Sequence, residues 1–154
     1  RMDAQNLGFE NNQFDVVISR NLTWNLENPV QAYKEWFRVL KKEGVLLNFD
    51  ANWYGYLYDE EKRMAYEKDR ENVERSQLDD HYLCTDIDRM EEIAKKVPLS
   101  AKNRPGWDVE VLKEIGFAEI RTDESIWQSV WSEEERLNYA STPMFLVSGQ
   151  KGEN

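Results

Sequence analysis

The chain has 154 residues, of which 40% are hydrophobic, and it contains six Trp, seven Tyr and six Phe. That length fits a single domain, and the apolar content is sufficient for a core, which argues against a disordered chain. The formal net charge of −10 argues against nucleic acid and membrane partners, because both require concentrated Lys and Arg.

The single cysteine, Cys84, and the single histidine, His81, limit the covalent and metal chemistry of the chain. One cysteine forms no internal disulfide, and one Cys with one His cannot supply the four ligands of a protein-only zinc site. Neither residue lies in a recognisable motif for nucleophilic catalysis. No apolar run has the length of a membrane span, and the N-terminal segment lacks the apolar core of a signal peptide. We therefore expect a cytoplasmic protein without a metal site.

The first predicted elements are a strand, a helix and a second strand. Residues 14–19 (FDVVIS) form an apolar run rich in β-branched residues, which is typical of a strand covered on both faces in a parallel sheet. A helix follows with Asn28 as its N-cap, an apolar stripe that continues to Leu40, and Gly44 as its stop signal. Residues 45–49 (VLLNF) indicate a second buried strand. This βαβ unit places the chain in the α/β class.

Residues 53–100 are predicted to form a helical insertion within the domain. The charged segment 59–80 favours an exposed helix, because opposite charges at three- and four-residue spacing support helicity but leave little to bury. Thr85 and Asp88 form a candidate capping box for a second helix that ends before Pro98. We interpret the charged segment as a solvated face, with a substrate lid as the alternative.

The last third of the chain is predicted to alternate helices and strands. Residues 107–115 carry one apolar helical face, and Gly116 suits a left-handed cap after it. The elements that follow are a strand at 117–122, a short helix with Ser132 and Glu135 as its capping box, and a final strand at 144–148 (MFLVS).

Several segments, in this order, carry a resemblance to a known family. They are residues 3–7 (DAQNL), 14–21 (FDVVISRN), 36–44 (WFRVLKKEG) and 114–117 (EIGF). The chain resembles the class I S-adenosylmethionine-dependent methyltransferases, in which a DA-x-x-L-P-F turn, an FD-x-V strand and an R-V-L-K-P-G-G helix end follow one another at this spacing. The sequence departs from that pattern at Gly8, where proline is common, and at residues 42–43 (KE), which replace proline and the first glycine.

The resemblance implies only part of a domain. Family members open with a strand and a glycine-rich G-x-G loop that holds the cofactor, and no G-x-G occurs among the seven glycines of this chain. Residues 1–154 would then be a single partial domain, the C-terminal half of a Rossmann-like methyltransferase sheet that is mainly parallel, with an antiparallel last strand and flanking helices. We expect a full-length parent that uses S-adenosylmethionine, and an isolated chain that is inactive.

Five residues are implied by the resemblance to contact S-adenosylmethionine. Asp3 and Ala4 match the position where a carboxylate accepts the adenine amino group and the next backbone N–H meets the ring. The alternative for these two is an Asx turn or a frayed terminus. Ser19, Arg20 and Asn21 end the first strand, where open α/β sheets bind ligands, and by the resemblance they line the methionine end of the cofactor. Their alternative is ordinary loop chemistry.

Five further residues are candidates for binding the methyl acceptor. Asp50, Asn52 and Trp53 end the second strand at the carboxyl edge, where family members receive substrate, and Tyr54 and Trp24 could add aromatic rings to the floor of a pocket. The alternative for Asp50 is a turn carboxylate that accepts nearby N–H groups, and for the aromatics it is core or interface packing. No catalytic residue is assigned, because methyl transfer mainly requires alignment of the acceptor.

Two functions remain open at this point. The first is a parent methyltransferase for a small-molecule acceptor, to which this chain contributes the acceptor side and part of the adenine pocket. The second is a non-catalytic module that does not bind cofactor alone and forms a homo-oligomer through residues 14–19, because loss of a neighbouring strand would expose an apolar edge. A nicotinamide-dependent dehydrogenase half agrees less well with the residues at Asp3-Ala4 and 38–40.

Overall fold

A single mixed sheet organises the chain in the computed structural model, which describes residues 1–152. Its strands are β1 (Phe14–Arg20), β2 (Leu40–Asp50), β3 (Phe117–Asp123) and β4 (Phe145–Lys151), in the order β1-β2-β4-β3. β1 and β2 are parallel, whereas β4 lies between β2 and β3 and runs antiparallel to both. The α/β class, the parallel first pair and the antiparallel last strand are confirmed.

Helices fill the connections between the strands. They are α1 (Pro29–Val39) between β1 and β2, α2 (Glu60–Arg75), α3 (Ile87–Ala94) and α4 (Gly106–Ile115) between β2 and β3, and α5 (Trp127–Val130) and α6 (Glu133–Asn138) before β4. Among the described residues no helix combines the length and apolar character needed to cross a bilayer. Whether the helices within residues 53–100 act as a lid stays a prediction.

The core lies between one face of the sheet and helices α1 and α4. Tyr33 and Trp36 of α1, Leu112 of α4 and Leu46 of β2 belong to one cluster of buried side chains. Alternate residues of β2 from Leu46 onward are buried, as expected for a strand with one face under helices. The order of the strands leaves β1 at an edge of the sheet within the described part of the chain.

Most of the predicted helix caps are present. The Asn28 side chain accepts a hydrogen bond from the backbone N–H of Gln31, and Gly116 adopts a φ of 112° at the end of α4. Ser132 and Glu135 form the reciprocal capping box of α6. One cap is predicted wrongly: the N-cap of α3 is Asp86, which accepts from the N–H of Arg89, and Thr85 lies one residue too early to do so.

The prediction that Gly44 is the stop signal of α1 is also wrong. The helix ends at Val39, Leu40 already belongs to β2, and the left-handed residue that follows is Glu43, with a φ of 62°. Gly44 instead allows its backbone to lie close to two carbonyl groups. A Cβ atom there would lie 2.8 Å from the carbonyl oxygen of Lys41 and 3.1 Å from that of Asp15. The glycine therefore allows β2 to pack beside β1.

We predict that Gly44→Ala destabilises the chain by about 1–3 kcal/mol, because backbone oxygens cannot move away from the added methyl group. Gly106→Ala is the matched control, since nothing lies within 4 Å of a Cβ atom at that position. The control should be neutral or slightly stabilising. Urea unfolding followed by circular dichroism measures both, and equal stabilities of the two variants would contradict the close-approach argument.

Candidate functional site

A cavity of about 490 Å³ lies beside the carboxyl ends of β1 and β2. We call it the aromatic pocket, because six of its lining residues are Trp or Tyr. Its lining residues are Asn21, Trp24, Trp53, Tyr54, His81, Tyr82, Thr85, Met90, Trp131, Glu135 and Tyr139. Four of the predicted site residues, Asn21, Trp24, Trp53 and Tyr54, therefore meet in one cavity.

The loop after β1 is fixed to β2, and this attachment shapes one side of the pocket. The backbone N–H of Asn21, a residue with a φ of 52°, donates to the carbonyl of Phe49 over 2.9 Å. The backbone N–H of Trp24 donates to Oδ2 of Asp50 over 2.8 Å. The Trp24 ring then packs against Tyr54, with 5.4 Å between the ring centroids. Both strand ends thus position the aromatic side chains.

Asp50 lies beneath the pocket in a buried ion-pair cluster. Nη1 of Arg104 donates to its Oδ2 over 2.8 Å, and the same guanidinium makes two hydrogen bonds to Asp108, of 2.8 and 2.9 Å. The exposed fractions of these side chains are 0–1%. Burial raises the pKa of Asp50, while Arg104 opposes that change. Burial alone would lower the pKa of Arg104, but Asp50 and Asp108 raise it above its usual value.

A chain of hydrogen bonds through uncharged side chains continues the cluster toward the loop after β1. The Tyr33 hydroxyl donates to Asp108 over 2.5 Å and accepts from Nδ2 of Asn48 over 2.8 Å. The Thr23 hydroxyl donates to Oδ1 of Asn48 over 2.9 Å. Burial and the Asp108 charge raise the pKa of Tyr33, so its hydroxyl keeps its proton and remains a donor.

Two of the predicted acceptor-binding residues, Asp50 and Asn52, do not line the aromatic pocket, and their side chains form hydrogen bonds outside it. The Asp50 carboxylate accepts from Arg104 and from the backbone N–H groups of Trp24 and Ala51, and its side chain is fully buried. It is the turn carboxylate of the alternative interpretation, and it positions Trp24. Nδ2 of Asn52 donates to the carbonyl of Arg104, and Asn52 lines smaller neighbouring cavities.

The opposite side of the pocket comes from residues that sequence reasoning did not assign to a site. Glu135 of α6 accepts from the backbone N–H of Ser132 through Oε2 and from Arg20 through Oε1, over 2.8 and 3.2 Å. Arg20, a predicted cofactor residue, therefore joins the end of β1 to α6. The capping box was visible in the sequence, but nothing local indicated which strand its glutamate would contact.

Ser19 is the predicted cofactor residue with an unused hydrogen-bonding group. This residue is 6% exposed at the end of β1, and its Oγ has no partner among the described residues. Buried hydroxyl groups are nearly always hydrogen-bonded, so an unpartnered one at a strand end is consistent with a polar ligand.

The turn that contains Asp3 and Ala4 is anchored to α1. Oδ1 of Asp3 accepts from the backbone N–H of Gln5 over 2.9 Å, which is an Asx turn. Oε1 of Gln5 in turn accepts from the N–H of Asn28 over 2.6 Å. These bonds fix the turn against the start of α1, and they leave Oδ2 of Asp3 available for a further donor.

We predict that Arg104→Met destabilises the chain by about 3–5 kcal/mol, because it leaves two carboxylates buried without their cation. Lys113→Met, on the surface of α4, is the control and should change the stability by less than about 0.5 kcal/mol. Chemical denaturation measures both values. A small effect of Arg104→Met would show that the ion-pair cluster does not hold the strand ends together.

Comparisons with known proteins agree with the fold. Residues 1–48 match a family described as a methyltransferase domain. A search of curated protein sequences gives no significant match. Among solved structures, a Bacillus halodurans protein assigned as a methyltransferase is 18% identical, with a TM-score of 0.53, over 99% of this chain and 70% of that chain.

Two further structures agree with this result. Haemonchus contortus phosphoethanolamine N-methyltransferase 2 in complex with S-adenosyl-L-methionine is 16% identical, with a TM-score of 0.57, over 98% of this chain and 36% of that chain. A SAM-dependent methyltransferase from Thermotoga maritima is 19% identical, with a TM-score of 0.55, over 96% of this chain and 60% of that chain. The chain thus spans one to two thirds of these two structures. Together the family match and the structures show that this chain has a class I S-adenosylmethionine-dependent methyltransferase fold.

Proposed function

We propose that the chain forms the acceptor side of a methyltransferase that transfers a methyl group from S-adenosylmethionine to a small molecule held in the aromatic pocket. The observation that carries this proposal is the position of the pocket at the carboxyl ends of two adjacent parallel strands. The methyltransferase-domain match over residues 1–48 and the fold support S-adenosylmethionine-dependent methylation in general.

The residues at these strand ends fit one side of the cofactor. The unpartnered Oγ of Ser19 would hydrogen-bond its methionine end, beside Arg20 and Asn21. Asp3 would accept the adenine amino group through Oδ2, and the backbone N–H of Ala4 would face the ring. S-adenosylmethionine supplies a methyl group activated on a sulfonium when it is bound. The residues of this chain would bind the cofactor, orient the acceptor and exclude water.

The size and chemistry of the aromatic pocket favour a small acceptor. A volume of about 490 Å³ falls within the range of about 300–1,000 Å³ that is usual for small-molecule sites. Aromatic rings on several sides would exclude water and restrict the orientation of the acceptor, and orientation is the main contribution a protein makes to a direct displacement. The Haemonchus contortus enzyme binds phosphomonomethylethanolamine in one of its structures, and this ligand is a small molecule of the proposed size class.

We expect S-adenosylhomocysteine to perturb the amide resonances of Asp3, Ala4 and residues 19–21 when it is titrated into the isotope-labelled chain. Binding should be weak, with a dissociation constant of about 1 mM or above, because the chain offers few contacts to the cofactor. Ser19→Ala should weaken binding about threefold to tenfold by removing one hydrogen bond.

Ser129→Ala is the matched control for this experiment, since Ser129 is an exposed serine of α5. The control should bind with unchanged affinity. Perturbations confined to other parts of the chain, or an equal loss in both variants, would contradict the proposed cofactor contacts.

A second candidate function is self-association through β1, and a specific observation favours it. We propose that two copies meet at this edge strand, where Val16 and Ile18 are 48% and 67% exposed. An exposed apolar edge strand is a template for pairing with another chain. The net charge of −10 would oppose the contact, so added salt should strengthen it.

We predict that Ile18→Lys shifts the chain to a monomer in size-exclusion chromatography with light scattering, whereas the unchanged chain shows a mass that rises with concentration. Leu83→Lys is the control, because Leu83 is 81% exposed but lies outside the sheet. A monodisperse monomer of the unchanged chain at high concentration and high salt would rule out this candidate.

A further inference from the structure

We propose that Tyr139, His81 and Glu134 form a proton relay at the aromatic pocket, and that the methyl acceptor is therefore an N–H or O–H nucleophile. This inference rests on the proposed methyltransferase function and names the chemical class of its acceptor. His81 and Tyr139 line the pocket, and Glu134 lies behind His81.

The hydrogen bonds of His81 define the direction of the relay. Its Nε2 is bonded to the Glu134 carboxylate, and its Nδ1 lies 2.7 Å from the hydroxyl oxygen of Tyr139. An ionised carboxylate only accepts hydrogen bonds, so Nε2 carries the proton of the neutral imidazole. Nδ1 is then an acceptor, and the Tyr139 hydroxyl donates to it. The lone pairs of that hydroxyl oxygen remain available to a donor in the pocket.

The relay is held in place by a buried asparagine. Oδ1 of Asn138 accepts from the backbone N–H of His81 over 3.1 Å, and its Nδ2 donates to the carbonyls of Asp79 and Glu134 over 2.9 and 3.1 Å. Asn138 is 2% exposed. One side chain thus fixes the segment of His81 against α6, so the imidazole and its two partners keep their spacing.

The ring of Tyr139 is held by aromatic contacts, in addition to the hydrogen bond of its hydroxyl group. Its ring centroid lies 5.2 Å from that of Trp53 and 5.9 Å from that of Trp131, and both tryptophans line the pocket. Such aromatic contacts restrict the ring without using its hydroxyl group. The oxygen therefore keeps a defined position relative to the pocket.

The charged groups around Tyr139 favour a relay over a stable tyrosinate. Burial and the nearby carboxylates of Glu135, Glu134 and Asp80 raise the pKa of Tyr139, while Arg70 of α2 opposes them. The hydroxyl is consequently neutral at neutral pH. It can accept a proton only as it passes its own proton to His81.

The proton balance of the proposed reaction follows from this arrangement. Methylation of an N–H or O–H acceptor forms a bond from carbon to nitrogen or oxygen, breaks the sulfonium carbon–sulfur bond, and releases one proton from the acceptor. That proton moves to the Tyr139 oxygen while the Tyr139 proton moves to Nδ1 of His81. The resulting imidazolium is stabilised by the Glu134 carboxylate. A carbon acceptor without an acidic proton would not need this chain of groups.

The tautomer of His81 tests the relay directly, because His81 is the only histidine of the chain and its ring nitrogens give unambiguous NMR signals. When the imidazole is neutral, we expect the proton on Nε2. A dominant Nδ1–H form would overturn the proposal, since Nδ1 could then accept nothing from Tyr139. Glu134→Gln should raise the Nδ1–H population, because the amide no longer requires a donor.

Glu133→Gln is the matched control for Glu134→Gln, because it makes the same charge change on the same helix and should leave the tautomer unchanged. An equal response of the two variants would overturn the role of Glu134. Retention of the circular dichroism spectrum shows that each variant is folded.

A pair of probes tests the acceptor class. Benzylamine carries N–H groups, whereas benzyltrimethylammonium has the same ring and a fixed positive charge but no N–H. We expect benzylamine to shift the His81 ring signals more strongly, and Tyr139→Phe to remove the difference between the probes. Equal shifts, or no shift with either probe, would overturn the inference. Cofactor perturbations at residues 19–21 should persist in Tyr139→Phe, which separates this outcome from failure of the proposed function.

Discussion

The ion pairs of Arg104 with Asp50 and Asp108 are the interaction on which the geometry of the site depends. Two carboxylates and one guanidinium are removed from water, and such burial is unfavourable unless every group is paired. Here all three guanidinium nitrogens donate to carboxylates, and Asp50 also accepts two backbone N–H groups. The cluster connects the end of β2 to α4 and to the loop after β1. A hydrophobic replacement could not give the same connections, because it would not direct the N–H of Trp24.

The two sides of the aromatic pocket are held by different means. The side that follows β1 and β2 rests on the buried cluster and on the hydrogen bond from Asn21 to Phe49. The other side rests on Asn138, whose amide bonds the segment of His81 to α6, and on Arg70, which donates to Asn138 and lies over the Tyr82 ring at 4.2 Å. The first side is continuous with the core, whereas the second belongs to helices with more exposed surface. If the proposed function holds, a change of acceptor specificity is therefore expected to come from the second side, with the sheet unaffected.

The sequence allowed the sheet to be predicted because its signals are local. An apolar run such as residues 14–19, an asparagine cap before α1 and a glycine after α4 each act within a few residues. The error at Gly44 arose because a glycine serves either of two purposes. Gly44 looked like a helix stop, yet its lack of a Cβ atom is required by carbonyl oxygens of Lys41 and Asp15, and the latter belongs to another strand. No pattern within a single segment distinguishes these roles.

Only part of the site could be predicted, because local patterns do not show which distant segments come into contact. Residues at strand ends could be assigned to the carboxyl edge, because parallel strands bring their ends together by topology. Asp50 lies at that edge as expected, but its partner Arg104 is 54 positions away, and this pairing decides that the carboxylate is buried. His81 had no partner motif along the chain, because Glu134 and Tyr139 lie 53 and 58 positions later. Contacts between residues so far apart in the sequence give His81 its hydrogen-bond partners. They place a residue that the sequence did not assign to a site in the proposed proton relay.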